Sequence, residues 1–185
     1  MQSLPPDITD FHTHNLQAQH AIINVPQEWI LTPSLFLPCE GAYYSVGIHP
    51  WWTAEADAVR RMLDNLPALL EHPQVVALGE CGLDALQGAP LDEQERIFTN
   101  QIAFAEAYHL PVTLHIVRAF DRLLRLKKQL RPTTQWTVHG FRGKPALAQQ
   151  LLRAGIDLSF GVKYNDESWR ITPPNRRRRE TDEDF

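Results

Sequence analysis

The sequence predicts an α/β fold, namely a distorted (β/α)8 barrel of the TIM type that is abbreviated and lacks its final helix. Short apolar, β-prone runs alternate with helical patterns, which is typical of βα units with parallel strands. An imidazole or carboxylate side chain follows several of these runs, at the edge where barrel enzymes gather their catalytic groups. The chain has 185 residues and is shorter than the ~200 residues at the low end of this fold, so an abbreviated barrel is expected.

The predicted strands are seven apolar runs and, near the end of the chain, one polar run. A short segment without a helical pattern separates His14 from the second run, Ala21–Val25. Because parallel strands usually need a crossover of about a dozen residues, we expect the barrel to be distorted there. The eight strands are expected to end near Phe11, Val25, Ile48, Gly79, Leu114, Val138, Phe160 and Thr181.

Four helices are predicted from the spacing of apolar residues and from their boundary residues. Thr53 is a plausible N-cap for the first helix. Asp92 and Glu95 resemble a capping box at the start of the second. Pro145 suits the first turn of the fourth helix and Gly155 its C-terminal cap. The helices are expected at 56–70, 92–105, 120–130 and 145–154.

The chain is expected to form a single domain, 1–185, with an atypical polar segment at 163–185. Arg176–Arg179 stands where the eighth strand should be apolar, and four acidic side chains follow within the next five residues. We interpret this stretch as a solvated segment whose charges compensate each other. No residues remain after Phe185 for an eighth helix, so apolar surface is expected to be exposed, which a second subunit of a homodimer could cover.

Composition is ordinary for a globular protein, with 43% hydrophobic and 22% charged residues. The formal net charge of −4 argues against binding nucleic acid by bulk electrostatics, although bound cations could still meet phosphate charge locally. No apolar run approaches the ~18 residues that a membrane helix needs, and the N-terminus has no signal-peptide pattern. Two cysteines are too few for a disulfide scaffold, so a cytoplasmic location is expected.

The segment Asp10–His14 contains two histidines at the end of the first predicted strand. Side chains two residues apart on a strand share a face, so His12 and His14 point in the same direction. Two converging imidazoles could bind one metal ion, although polar strand-end residues bonded to their neighbours would look the same.

The same pattern recurs along the chain. Glu80, His115, His139 and Asp182 each stand directly after a predicted strand. A buried glutamate among several histidines is costly without a cation, which favours metal binding over separate structural roles. Four histidines and two carboxylates also match the ligands of paired Zn²⁺, Mn²⁺ or related ions. The sequence therefore predicts a metal site at one mouth of the barrel.

Several motifs in this order carry a resemblance to a known family. The chain resembles the TatD-family metal-dependent hydrolases of the amidohydrolase superfamily, and most of all their short bacterial subtype. The similarity covers nearly the whole chain. The motifs are Asp10–His14, Val46–Pro50, Gly79–Asp84, His115, His139–Phe141 with Gly143, Ser159–Gly161 and Glu180–Asp182.

The resemblance implies a two-metal hydrolase, and family members are mostly described as deoxyribonucleases that often act at DNA 3′ ends. The cofactors would be two divalent ions, Zn²⁺, Mg²⁺ or Mn²⁺, which lower the pKa of a bound water to about 7 and so supply hydroxide. Asp182 and Glu80 are the expected catalytic carboxylates, and Asp182 would orient the water and accept its proton. The expected ligands are His12, His14 and Asp182 for one ion, His115 and His139 for the other, and Glu80 as the bridge.

Four further residues are candidates for binding the substrate. Arg118, Arg142 and Lys144 lie shortly after His115 or His139 and could contact phosphate, unless they are solvated loop charges. His49 could touch substrate or support the site through a hydrogen bond. The adjacent Trp51–Trp52 pair could stack on a base or pack under its loop.

Three functions remain open from the sequence. The leading one is a metal-dependent phosphodiesterase acting on DNA. A related alternative is the hydrolysis of an ester, amide or lactone in a small metabolite, since the same activated water serves both reactions. The third is a non-catalytic scaffold with a degenerate C-terminal end.

Overall fold

Eight parallel strands form the core of the molecule and are paired in chain order. The structure is a computed structural model and describes residues 4–182. Every neighbouring pair of strands is parallel. The strands are β1 (Asp10–Thr13), β2 (Ala21–Asn24), β3 (Tyr43–Val46), β4 (Val75–Asp84), β5 (Val112–Val117), β6 (Trp136–Val138), β7 (Ile156–Phe160) and β8 (Arg177–Arg179).

Helices lie between most of the strands and cover the outer face of the sheet. Their buried faces form one continuous apolar core with the strands, whereas Phe11, Ile22 and Val76 form a smaller cluster. Between residues 4 and 182, none of the helices has the length and apolar composition needed to cross a membrane. The helices are α1 (Gln27–Leu31), α2 (Ala56–Leu70), α3 (Leu91–Tyr108), α4 (Phe120–Leu130), α5 (Pro145–Arg153) and α6 (Asp166–Ile171), with short 3-10 helices at Pro33–Leu35, Pro50–Trp52 and Pro174–Arg176.

The barrel is nearly closed where β1 meets the segment after β8. The backbone N–H of Asp182 donates to the carbonyl of His12 at 3.1 Å. Thr181 donates to the carboxylate of Asp10 through its backbone N–H at 3.0 Å and through its hydroxyl at 2.7 Å. These contacts confirm the predicted TIM-like barrel. The predicted lack of a final helix concerns the chain after residue 182, which lies outside the described residues.

The predicted distortion between the first two strands is also present. The connection from β1 to β2 contains no helix, and the register of their pairing shifts between Asp10 and Thr13. A second irregularity affects β4, which pairs with β5 as far as Asp84 and shifts register between Leu78 and Cys81. The predicted end near Gly79 was therefore too early, because pairing with β5 extends the strand past Glu80.

Two of the predicted helix caps are wrong because these side chains form hydrogen bonds with other groups. Thr53 donates to the carbonyl of Pro50 and accepts from the N–H of Ala89, while α2 begins three residues later. Asp92 and Glu95 lie inside α3 and both accept from the Nη1 of Arg122, at 2.6 and 2.8 Å. The capping box is thus replaced by ion pairs to α4.

The boundaries predicted for α5 are confirmed. Pro145 is its first residue, where the missing N–H of proline costs no helix hydrogen bond. Gly155 follows the C-cap residue Ala154 with a φ of +77°, a left-handed conformation that glycine adopts without steric cost.

The interpretation of Arg176–Arg179 as a self-compensating solvated segment is wrong. The Nε of Arg176 donates to Asp157 at 2.6 Å. The guanidinium groups of Arg177 and Arg179 lie 3.9 and 4.0 Å from the ring centre of Trp169. Residues two apart on a strand point to the same face, so β8 places Arg177 and Arg179 against the same indole of α6.

Candidate metal centre

The six predicted ligands lie together, within the carboxyl-terminal halves of the strands or just after them. Parallel strands present these ends at the same rim of a barrel, so residues that are far apart in sequence can converge there. The residues are His12 in β1, His14 just after it, Glu80 in β4, His115 in β5, His139 just after β6 and Asp182 after β8.

Glu80 is at the centre of this cluster, and its two carboxylate oxygens face different histidines. Its Oε2 lies 3.3 Å from the Nε2 of His12 and 3.6 Å from the Nε2 of His14. Its Oε1 lies 2.7 Å from the Nε2 of His139 and 2.9 Å from the Nδ1 of His115. The backbone N–H of Glu80 donates to the side-chain oxygen of Asn24 at 2.8 Å, which ties β4 to β2 behind the carboxylate.

Asp182 completes the cluster on the side of β1. Its Oδ1 lies 3.7 Å from the Nε2 of His12 and 3.9 Å from that of His14, and its Oδ2 lies 3.9 Å from the Nδ1 of His139. The backbone hydrogen bond to His12 fixes this position. Unlike Glu80, Asp182 keeps part of its side chain in contact with solvent.

The donor set fits a divalent cation. Within residues 4–182, three combinations of these side chains bring a ligand atom from each member within 4.8 Å of one another: His12, His14 and Glu80; His12, His139 and Asp182; and His49, Glu80 and His115. Both ring nitrogens of His12 and the Oε2 of Glu80 are buried and have no hydrogen-bond partner among the described residues. Buried polar atoms without partners are costly, and an ion between the Nε2 of His12 and the Oε2 of Glu80 would satisfy these two atoms.

The pKa values of Glu80 and His139 depend on two opposing effects. Burial disfavours the charged form of each group, and the attraction between the carboxylate and the imidazoles favours it. Burial favours the neutral acid, but the positive potential of His139 and His12 holds the pKa of Glu80 well below its ordinary value. Burial would lower the pKa of His139, yet Glu80 and Glu180 raise it well above the usual histidine value. This shift favours the ionised carboxylate of Glu80, which attracts positive charge.

His49 lies beside the cluster. Its Nδ1 accepts from the backbone N–H of Trp51 at 3.2 Å, and its Nε2 lies 3.2 Å from the Oε1 of Glu80. Burial lowers the pKa of His49, which favours a neutral ring that donates from Nε2 to Glu80. The side chain is nearly buried, so the hydrogen-bonding role is favoured over direct contact with substrate.

Two carboxylates of the site were missed in the sequence, although both belong to motifs that were recognised. Asp84 Oδ2 lies 3.2 Å from the Nε2 of His115, and Glu180 Oε1 lies 3.5 Å from the Nδ1 of His139. Burial opposes ionisation of Asp84, but hydrogen bonds from Trp51 and Leu86 lower its pKa. Carboxylates in such positions orient metal-binding histidines. The sequence did offer a signal for both residues. Asp84 is the last residue of the motif Gly79–Asp84, and Glu180 is the first residue of the motif Glu180–Asp182.

A cavity of about 670 Å³ opens onto the cluster. Arg142 and Trp51 line it together with His14, His115, His139 and Asp182. Arg118 and Lys144 are exposed and are not among its lining residues. A second cavity of about 780 Å³ lies at the opposite end of the barrel and is lined by residues that precede the strands, such as Pro111 and Gln135. None of the six predicted ligands lines that cavity.

Comparison with known protein families gives a match along nearly the whole chain. The model of the family described as TatD related DNase matches residues 10–183. A similar solved structure is that of YjjV, a TatD homolog from Escherichia coli K12, with a TM-score of 0.75 at 23% identity, covering 94% of this chain and 78% of that one. This likeness supports the fold assignment.

Curated proteins are also similar to this chain. The chain is 36% identical over 134 residues to the 3'-5' ssDNA/RNA exonuclease TatD of Klebsiella pneumoniae, which covers 69% of this chain and 48% of that protein. It is 34% identical over 123 residues to the uncharacterized metal-dependent hydrolase YjjV of Escherichia coli, covering 64% and 46%. The matched part of the chain thus spans about half the length of these relatives.

Proposed function

Since the chain belongs to the family of TatD-related DNases, we propose that it is a divalent-metal-dependent hydrolase that cleaves phosphodiester bonds of DNA. The observation that carries this proposal is the position of Glu80, whose two oxygens lie within 3.6 Å of four different histidines. The family model and the exonuclease from Klebsiella pneumoniae point to the same reaction.

We propose two ions, Zn²⁺, Mg²⁺ or Mn²⁺, with Glu80 as their common ligand. The division of its oxygens supports this arrangement, since Oε2 faces the histidines of β1 and Oε1 faces those of β5 and β6. Imidazole and carboxylate ligands suit several of these metals, and availability selects among them. The proposed ligands are His12, His14 and Asp182 for one ion and His115 and His139 for the other.

Catalysis is proposed to depend on Asp182 as the general base. The bound ions would supply Lewis acidity for the phosphate oxygens and for the attacking water. Asp182 is partly exposed and lines the cavity, so its carboxylate can hold a water and accept its proton. The water oxygen then attacks phosphorus, the bond to the leaving oxygen breaks, and the proton passes to that oxygen to give an alcohol and a phosphate monoester.

Arg142 is the proposed contact for the phosphate backbone. It is exposed and lines the cavity, so its guanidinium can donate to a phosphate near the histidines. Arg118 and Lys144 are proposed only for phosphates farther along the strand, because both lie outside the cavity lining. His49 is proposed to support Glu80 rather than to bind substrate directly.

We also propose that the chain forms a single domain, that it is located in the cytoplasm and that it cleaves DNA from the 3′ end. The homodimer is retained as a hypothesis that the comparisons do not support, and a monomeric mass by light scattering at high concentration would remove it. A metabolite ester, amide or lactone as substrate is the alternative reaction, although the exonuclease among the relatives does not favour it.

The experiment combines elemental analysis with a substrate panel of end-labelled single-stranded DNA, a metabolite ester and a lactone. We expect bound divalent metal and metal-dependent DNA cleavage. Glu80→Gln removes the charge and one ligand oxygen, and His12→Ala removes an imidazole. Each should lower cleavage by at least ~10²-fold, while the circular dichroism spectrum is retained. Glu40→Gln, at an exposed site, is the control.

The possible results separate the three functions. Unchanged cleavage by Glu80→Gln would refute the proposed site. Hydrolysis of the ester or lactone without cleavage of DNA would favour the metabolite reaction. If the protein cleaves no substrate of the panel in the presence of metal, the non-catalytic scaffold is favoured.

A further inference from the structure

Trp51 is a large apolar side chain that is exposed at the mouth of the catalytic cavity. About half of the residue, 48%, is open to solvent, and it lines the cavity together with His115, His139 and Asp182. The next residue, Trp52, also lines the cavity but is only partly exposed and packs against the core. Burial in the core therefore accounts for Trp52 but not for Trp51.

Trp51 is held by one hydrogen bond from its indole and one from its backbone. Its Nε1 donates to Asp84 Oδ2 at 2.7 Å, and its backbone N–H donates to the Nδ1 of His49 at 3.2 Å. The residue lies on the short 3-10 helix that begins with Pro50, whose ring restricts the backbone. An exposed aromatic ring that is fixed in this way loses little conformational entropy when a ligand binds to it.

The rings around Trp51 do not stack on it in parallel. The rings of His49 and His115 meet the indole at 80° and 78°, with centroids 4.8 and 5.7 Å away. His115 is itself in contact with Glu80. Only the ring of His115 would therefore separate a flat group on the exposed indole from Glu80. Such a group would lie next to a phosphate bound at the cluster.

We propose that Trp51 forms a stacking subsite for an unpaired nucleobase, adjacent to the scissile phosphate. The ligand class is single-stranded nucleic acid, because bases within a duplex are stacked on each other and cannot offer a free face. Base–aromatic stacking tolerates any sequence, since every base has a π-face. Asp84 acts as a positioning residue, because its Oδ2 accepts the hydrogen bond from the indole and also contacts His115.

The subsite explains how a chain with a net negative charge can bind a polyanion. The formal charge of −4 provides little general attraction for DNA. Stacking at Trp51 adds affinity that does not depend on charge, while Arg142 and the bound ions meet the phosphates locally. This inference rests on the proposed function, because it assumes that the substrate carries bases.

The test compares the binding of two nuclease-resistant oligomers of equal length and charge. One is a phosphorothioate oligothymidylate, and the other is the same backbone with abasic sugars throughout. Binding is measured by the anisotropy of a terminal label, both in Mg²⁺ and in EDTA. The variants are Trp51→Ala and Trp51→Phe, with Leu37→Ala as the control for loss of an exposed apolar side chain.

The wild type is expected to bind the oligomer with bases on the order of ten-fold more tightly than the abasic one. Trp51→Ala should lose this preference, Trp51→Phe should keep part of it because phenylalanine stacks without the anchor to Asp84, and Leu37→Ala should keep all of it. Equal binding of both oligomers by the wild type, or an undiminished preference in Trp51→Ala, would overturn the subsite and leave the proposed hydrolase intact. Absence of binding to either oligomer would overturn both proposals.

Discussion

Two histidines of the cluster have a carboxylate on the side of the ring away from Glu80. Asp84 contacts His115 and Glu180 contacts His139, at 3.2 and 3.5 Å. Glu180 also accepts a hydrogen bond from the backbone N–H of Gly140, which holds the carboxylate against the loop after β6. An imidazole backed in this manner keeps its orientation and becomes a stronger ligand.

Replacing Glu180 with glutamine should therefore weaken metal binding. The amide keeps the size of the side chain but removes the charge that raises the basicity of His139, so we expect a loss of about 10- to 100-fold in metal affinity. Calorimetric titration with Mn²⁺ or Zn²⁺ measures the effect, with Glu40→Gln as the surface control. Wild-type affinity in Glu180→Gln would show that this carboxylate is not a support for the site.

At the scale of the elements, Glu106 connects α3 to the segment that leads into β6. It accepts four hydrogen bonds, from the backbone N–H and the hydroxyl of both Thr133 and Thr134, at 2.6 to 3.0 Å. Its partial burial would raise the pKa, but these hydrogen bonds lower it to about 2 from the ordinary value of 4.5. The carboxylate is thus bound most firmly in its ionised form.

This shift predicts how stability depends on pH. Because the folded pKa is depressed, the contribution of Glu106 is fully present above pH 4.5 and is lost as the pH falls from there towards 2. We expect Glu106→Gln to be less stable than the wild type at pH 7, with a difference that narrows over this acid range. Urea unfolding at several pH values checks it, with Asp64→Asn as an exposed control. A difference that does not change with pH would contradict the assignment.

At the scale of the whole molecule, the cluster joins strands from all parts of the barrel. His12 belongs to β1, Glu80 to β4 and His115 to β5, while Asp182 closes the ring beyond β8. An ion bound by these residues would cross-link elements that are otherwise held by the sheet and the core alone. A ligand that binds the folded chain and not the unfolded one stabilises the fold by mass action.

Metal removal should therefore lower the melting temperature. At a metal concentration one hundred times the Kd, the stabilisation is about 2.7 kcal/mol, which for a chain of this size corresponds to a shift of roughly 5 to 10 °C. Differential scanning fluorimetry in EDTA and after addition of Mn²⁺ or Zn²⁺ measures it. His12→Ala should show little of this shift, and a wild-type melting temperature that no metal changes would count against the site.

The sequence by itself determined the barrel and the positions of the clustered histidines. Both follow from local regularities: the alternation of strand and helix patterns, the two-residue period of β1, and the rule that parallel strands end at one rim. Those regularities were enough to bring together His12, Glu80, His115 and His139 without knowledge of the packing.

Tertiary structure alone decided which distant groups meet. Arg177 and Arg179 of β8 pack against Trp169 in α6, and the residues predicted to cap α3 pair instead with Arg122. The anchoring of Trp51 by Asp84 likewise joins residues 33 positions apart. Such contacts depend on the distances between folded elements, and a pattern within one segment carries no information about them.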